Sequence, residues 1–313
     1  MGNKPLISVL VANYNNGCFI AETLDSICAQ TYPNIEVVIV DDCSTDKSLQ
    51  VISAYLSSHL MHSISVFQNE VNSGCGYTKR RLIDLSKGEY FIFVDPDDVI
   101  ENDTIETLYK GFVSDNYSIV YATQYLCDSQ LKILSKATWP AAIPKGESHF
   151  TSQIGHVSAP ALCKRSCYDR TVGINPSLIV AEDQDLYIKM EEVAPVRFID
   201  RCLYYYRGHD HNMSRDNAHL LLNARCNMLL AEDTYQRRRR LRYLPNISYK
   251  DLQHKRLEYY LLKYKSLMKE KKYAKAFCSI VCAFPYSFFD KKLRLYKVVI
   301  KSILIELKKM ILK

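Results

Sequence analysis

The chain has 313 residues, 48% of them apolar and 24% charged, and a net charge of +7 with only 10 Gly and 10 Pro. That balance fits one large folded domain or two smaller ones and excludes a disordered or low-complexity chain. The charge is unevenly spread: residues 235–313 hold 22 of the 41 basic and 5 of the 34 acidic residues, a balance of +17 against −10 for the rest, which predicts two parts with different jobs.

Strand-like and helix-like stretches alternate through the first 115 residues. Leu6–Ala12 is predicted as a strand. Phe19–Ala29 reads as a helix because Ile20, Leu24, Ile27 and Cys28 form one apolar stripe, and Tyr32-Pro33-Asn34 ends it. Ile35–Val40 is a second strand. Ser44, Thr45 and Asp46 offer N-caps for a helix with Val51, Ile52, Tyr55 and Leu56 on one side. Ile64–Phe67 is a third strand, a helix covers Tyr77–Ser86 and stops at Gly88, Tyr90–Val94 is a fourth strand, and another helix covers Asp103–Phe112. This order predicts an α/β fold, a parallel sheet with helices on both faces and right-handed crossovers. Farther on, Ile119–Tyr125 and Arg197–Tyr206 read as strands, Ala159–Cys163 as strand or loop, and 183–192 as a helix opening on Glu182-Asp183. From Ala218 the pattern is helical and increasingly basic. The expected boundary lies near residue 216, giving a domain over 1–215 and a helical, basic region over 216–313.

Two apolar runs end in carboxylates. IEVVIV delivers Asp41 and Asp42, and YFIFV delivers Asp95, Asp97 and Asp98. Parallel strands bring both clusters, together with Tyr14-Asn15, to the sheet edge where such folds bind ligands. Crowded carboxylates need a cation, and oxygen ligation suits Mg²⁺ or Mn²⁺, which in turn hold phosphates. Plainer readings stand beside this one: a capped turn for Asp41 and Asp42, a polar β-turn around Pro96, and first-turn helix electrostatics for Glu182 and Asp183. No G-x-G-x-x-G or G-x-x-x-x-G-K-[ST] occurs, which disfavours a classical dinucleotide fold or a P-loop. The 11 cysteines form no C-x-x-C, and Cys163/Cys167 and Cys278/Cys282 are spaced as helix neighbours. Reduced, mostly buried thiols without zinc are expected. Leu6–Ala12 is too short for a secretory signal, and Leu6 breaks the myristoylation pattern. The near-apolar run Phe277–Phe289 is interrupted by Pro285, so a cytoplasmic protein is expected.

Taken in order, ISVLVANYNN, IEVVIVDDCSTD, NSGCG, KGEYFIFVDPDD, NPSLIVAEDQDL and YYYRGHDHNMS resemble the blocks of glycosyltransferase family 2, over about residues 5–215. The resemblance implies a GT-A (Rossmann-like), mostly parallel sheet flanked by helices. It also implies transfer of a sugar, with inversion, from a nucleotide-sugar (UDP-linked) to an acceptor hydroxyl, with Mn²⁺ or Mg²⁺ as cofactor. By position, Tyr14 and Asp42 meet the nucleoside. Asp95 and Asp97 meet the ribose and metal–diphosphate, and either Asp97 or Asp98 is the metal ligand. Asp183 is the catalytic base, and His209, more than His211, lies near the metal or diphosphate. Lys79 and Arg80 stand where many members have Arg-Asn, so their contact with phosphate or base stays open. Glu182 and Trp139 are assigned to the acceptor side, with a packing role as the plainer reading of Trp139, as it is for Tyr14.

The tail carries Leu293, Tyr296, Ile300, Ile303, Leu307 and Met310 at helical spacing, widened by Val299, Leu304 and Ile311 and flanked by Lys292, Lys297, Lys301, Lys308 and Lys309. With the charge of Arg237–Arg240, such a helix suits an anionic membrane surface. The plainer reading packs it on the other domain or on a second copy as a homodimer. An acidic first part without a reader motif disfavours nucleic acid. Tail and resemblance together suggest a lipid-linked glycan acceptor at the inner face of a bacterial membrane, in cell-surface polysaccharide synthesis. A nucleotidyltransferase of related fold and an inactive membrane-bound scaffold are the alternatives. The first lacks its glycine- and arginine-rich loop at Asn13–Gly17, and the intact carboxylates argue against the second.

Overall fold

The computed structural model describes residues 4–58, 63–112, 116–152, 156–209, 220–241, 243–288, 295, 297–298 and 300–301. The chain divides into two compact units, Met1–Asn212 and Met213–Lys313.

The first unit follows the alternation: β1 (Ile7–Asn13), α1 (Ile20–Cys28), β2 (Ile35–Asp41), α2 (Ser48–Ser58), β3 (Ser63–Gln68), α3 (Cys75–Leu85), β4 (Tyr90–Phe93), β5 (Val99–Ile100) and α4 (Thr104–Lys110). Then come β6 (Ile119–Cys127), β7 (Ile133–Lys136), β8 (Ala161–Lys164), α5 (Arg165–Tyr168), α6 (Glu182–Glu191) and β9 (Val196–Arg207). One sheet runs β3-β2-β1-β4-β8-β6-β9-β5, with β7 paired to β6. It is parallel through β3-β2-β1-β4, as the alternation predicts. Beyond β4 it becomes mixed: β8 pairs antiparallel with β4 and β6, and β9 runs parallel to β6. The two-residue β5 and the exposed β7 have too few apolar positions to announce themselves.

Strand alternation sorts the core into two layers. Ile7, Val9 and Val11 of β1 face α1, α2 and α4 through Ile20, Leu24, Ile27, Ile52, Tyr55, Ile105 and Leu108. Leu10, Val38 and Val40 face the other way, onto Leu82 and Ile83 of α3 and Leu186, Tyr187 and Met190 of α6. The register sets Asn13 opposite Asp41. β4 ends opposite Leu10, so the Asp95–Asp98 turn stands beside the end of β1.

Gly88 serves a purpose other than the expected helix stop. α3 ends at Leu85 with an extended Ser86, and a Cβ on Gly88 would lie 2.6 Å from the Ser8 nitrogen and 2.7 Å from the Tyr90 oxygen. Close backbone approach demands glycine here. The Glu36 carboxylate ties this turn, accepting from Ser8 Oγ at 2.7 Å, Lys87 N at 2.6 Å and Gly88 N at 3.1 Å.

The second unit holds α7 (Leu220–Arg238), α8 (Tyr249–Lys269) and α9 (Tyr273–Ser287). Ser248 Oγ caps α8 by accepting from Asp251 N at 3.1 Å. Leu257, Leu261, Ala283 and Leu295 form its core. The arginine run adds less surface charge than expected. Arg238 is buried and donates to the Pro245 carbonyl at 2.9 Å, while Arg237 pairs with Asp233. Of the tail's apolar stripe and its lysines, only Lys297, Ile300 and Lys301 fall among the described residues; Leu293, Tyr296 and the others lie outside them. Among the described residues, no helix is long and apolar enough to cross a membrane.

Gly88→Ala is expected to cost about 1–3 kcal/mol through overpacking against β1. Urea unfolding of the full chain measures it, and an unchanged midpoint would refute the steric account.

Candidate active site

The ends of β1 and β2 are laced together. Asp41 accepts from Asn13 Nδ2 at 2.7 Å, Ser44 N at 2.9 Å and Ser44 Oγ at 2.6 Å, so it holds the turn, as the plainer reading supposed. Asn15 Oδ1 accepts from Thr45 N at 2.8 Å. Asp42 reaches the next loop, accepting from Asn69 Nδ2 at 2.6 Å and from Ser73 N and Gly74 N, each at 2.8 Å. Gly74 has φ +85°, which an L side chain resists, and this backbone presents its N–H to Asp42. Asn15, Cys43 and Ala181 also have positive φ, so left-handed backbone gathers around this edge. Such residues cost about 1 kcal/mol or more each and persist where surrounding contacts over-determine them.

The Asp95–Asp98 turn separates its carboxylates. Asp95 is 45% exposed and lies 3.6 Å from Lys79 Nζ. Asp97 Oδ2 lies 2.8 Å from His209 Nε2, and the His209 ring packs on Phe19 at 4.9 Å between centroids. Asp98 turns inward, 1% exposed, and accepts from Arg207 N at 2.7 Å and from Tyr204. Arg207 then braces the turn, donating to the Asp97 carbonyl at 2.6 Å and pairing with Glu22 at 2.6 Å. Burial, then the charge of Asp95, raises the Asp97 carboxyl above the usual range, against the pull of His209. A divalent cation would relieve that crowding. Among the described residues no trio of His, Cys, Asp or Glu is arranged as a ready-made cage. The residues therefore fit a metal bound through one or two carboxylates and completed by substrate phosphates, the usual mode for Mg²⁺.

Between the two halves sits Lys79, on α3 and nearly buried. Its Nζ lies 2.8 Å from Glu182 Oε1 and 5.3 Å from the Phe93 ring centroid. Burial, the largest single influence, would lower its pKa, but Glu182, Cys75, Asp95 and Asp183 together outweigh it and raise the pKa well above the usual lysine range. Glu182 is correspondingly lowered despite its own burial. The thiol of Cys75 donates to the same Glu182 oxygen at 3.2 Å. Asp183, the next residue, keeps partial exposure. Burial and then the Glu182 charge push its carboxyl up to about 6, with Lys79 acting in the opposite sense.

A short chain of hydrogen bonds stands behind Asp183. Gln184 donates to it from its backbone N at 2.7 Å and from Nε2 at 3.3 Å. Val157 N donates to His149 Nδ1 at 3.2 Å, which leaves the proton on Nε2, 2.7 Å from Gln184 Oε1. That tautomer points the Gln184 amide NH₂ at the carboxylate.

The structure thus gathers Lys79, Asp95, Asp97, Glu182, Asp183 and His209, with Tyr14 exposed at the end of β1. Arg80 points elsewhere, donating to the Ile174 carbonyl at 3.1 Å. Glu182, expected on the acceptor side, is 7% exposed and its Oε1 is taken up by Lys79 and Cys75. Trp139 is half-buried in the loop after β7, its carbonyl 3.4 Å from His156 Nδ1. His211 lies outside the described residues. Cys75, His149, Gln184, Tyr204 and Arg207 escaped sequence reasoning. All but His149 lay inside a noted block, and nothing in their spacing showed which way they turn. The thiols are less buried than expected: four of the 11 are buried and three exposed.

Residues 8–163 match the family model described as Glycosyl transferase family 2. The chain is 29% identical over 212 residues to chondroitin synthase of Escherichia coli, a match covering 67% of this chain and 30% of that protein, so it spans under a third of that relative. The structure of S. aureus TarS 1–349 with UDP-GlcNAc aligns at TM-score 0.56 and 22% identity, over 84% of this chain and 72% of that one. The mannosyltransferase PcManGT from Pyrobaculum calidifontis, in complex with GDP-Man and Mn²⁺, aligns at TM-score 0.57 and 15% identity, over 97% and 81%. Identities this low establish the shared fold.

The Asp183 titration gives a signed expectation. A base near 6 makes kcat/KM for sugar transfer fall about tenfold per pH unit below 6 and level off above it. Glu182→Gln removes a raising charge and moves the acid limb to lower pH; Lys79→Met removes a lowering charge and moves it higher. A limb indifferent to both variants would detach it from Asp183.

Proposed function

The chain belongs to glycosyltransferase family 2, and from that premise we propose that it moves a sugar from a UDP-linked donor to an acceptor hydroxyl with inversion at the anomeric carbon. The observation that supports this reading best is the Lys79 bridge, 2.8 Å to Glu182 and 3.6 Å to Asp95, which links the start of the helix carrying Asp183 to the Asp95 turn. The acceptor hydroxyl gives its proton to Asp183 as its oxygen attacks the anomeric carbon. The bond to the diphosphate breaks on the opposite face, which inverts the centre. Gln184 and His149 hold the Asp183 carboxylate for that transfer.

The donor half takes the nucleoside between Tyr14 and the Asp42-clamped Ser73–Gly74 turn, with the diphosphate toward Lys79, Asp95 and Asp97. Asp97, with Asp95 and His209 beside it, would hold Mn²⁺ or Mg²⁺, which when bound stabilises charge on the leaving diphosphate. Asp98 and Arg207 support the turn. That one aligned structure is a complex with UDP-GlcNAc and the other a complex with Mn²⁺ supports the donor and metal assignments.

The catalytic part is assigned to residues 1–215 and the basic helical part to 216–313. The relatives' link to polysaccharide synthesis and the +17 balance of residues 235–313 support a lipid-linked glycan acceptor. They also support a peripheral position at the inner face of the membrane, with the tail on anionic lipid; a homodimer through the tail is the competing arrangement.

Asp183→Asn is expected to cut transfer by about 10²–10⁴-fold, the usual contribution of a positioned base. UDP affinity by calorimetry should stay unchanged. A large loss of UDP binding would place Asp183 in the donor site and end this assignment.

A further inference from the structure

α9 has one face too apolar for water. Ala276, Ser279, Ala283 and Ser287 are buried within the second unit. Tyr273, Phe277, Val281, Phe284 and Phe288 are each 50–72% exposed. Their spacing of 4, 4, 3 and 4 residues puts all five on one stripe of a helix with 3.6 residues per turn. Cys278 and Cys282 are exposed as well, so the outward surface extends beyond the stripe without gaining a charge. Phe284 and Phe288 meet edge to face, 5.4 Å apart. Contiguous exposed aromatics of this kind mark an interaction surface.

Charge decides what covers it. From Lys271 to Phe288 there is no acidic residue, and Lys271, Lys272 and Lys275 gather at the start of the helix. A second copy would bring residues 235–313 with +17 against the same +17, which like-charge repulsion opposes. An anionic bilayer buries the rings and attracts the lysines together. At 15 residues, α9 is too short to cross a bilayer, and an in-plane position suits a helix that is apolar on one side only.

We propose that the Tyr273–Phe288 face of α9 lies in the plane of an anionic bilayer, its aromatic rings among the acyl chains and Lys271, Lys272 and Lys275 at the headgroups. This inference rests on the membrane part of the proposed function and on none of its transfer chemistry.

Flotation of the full chain with phosphatidylcholine vesicles, with and without phosphatidylglycerol, tests it. Binding is expected only with phosphatidylglycerol, weakened by salt. Phe277→Ser/Phe284→Ser should lower the bound fraction about tenfold with an unchanged circular dichroism spectrum, since both side chains face solvent. A polarity-sensitive dye on Cys278 or Cys282, in a Cys18→Ser background, should shift to the blue on those vesicles alone. If the full chain floats and the double variant floats equally well, the α9 assignment is wrong while membrane binding through another segment stands. If the full chain does not float, both fall. A dimer seen by sedimentation that the double variant dissolves and phosphatidylglycerol leaves intact also overturns it.

Discussion

One nearly buried ammonium holds the two halves of the site together. Lys79 faces Glu182 from the α6 side and Asp95 from the β4 side, so it lies between carboxylates that would otherwise repel across the cleft. Burying a charge is costly unless it is paired, and removing one member of such a pair strands the other. The lysine therefore does more than neutralise. It fixes the distance between α3, which carries it, and the first turn of α6, which carries Asp183. Burial and then Glu182 raise the carboxyl of Asp183 to about 6, and Lys79 holds that rise in check, a value suited to the base proposed there.

The other carboxylates divide their labour by orientation. Asp41 and Asp98 are turned toward backbone and side-chain donors and keep two turns in shape. Asp42, itself buried, does the same for the Ser73–Gly74 turn. Asp95 and Asp97, beside Lys79 and His209, are the two proposed to face the diphosphate. A cluster of acids in the sequence is thus a mixture of scaffold and reagent, sorted by which oxygens already have donors.

The first four strands and their helices were legible because each is a short apolar run bounded by turn residues, and a parallel order follows from the alternation. Strand ends were legible for the same reason: whatever follows the last apolar residue of β2 or β4 must sit at the sheet edge. What stayed hidden depends on contacts between segments far apart in sequence. Asp97 and Asp98 are adjacent, and only the approach of His209 to one and Arg207 to the other tells them apart. Glu182 looked like a companion of Asp183 facing the acceptor, but α3 brings Lys79 and Cys75 onto it from a hundred residues away. Gly88 looked like a helix stop, and its true constraint is the backbone of β1.

Trp139 carries a consequence of another kind. It is the chain's only tryptophan, half-buried in the loop that follows β7. Its carbonyl is tied to His156, which neighbours the Val157 whose N–H fixes the His149 tautomer behind Asp183. Indole emission from the whole protein therefore originates at one address, linked by a few hydrogen bonds to the carboxylate proposed as the base. The molecule carries its own optical label on the side assigned to the acceptor.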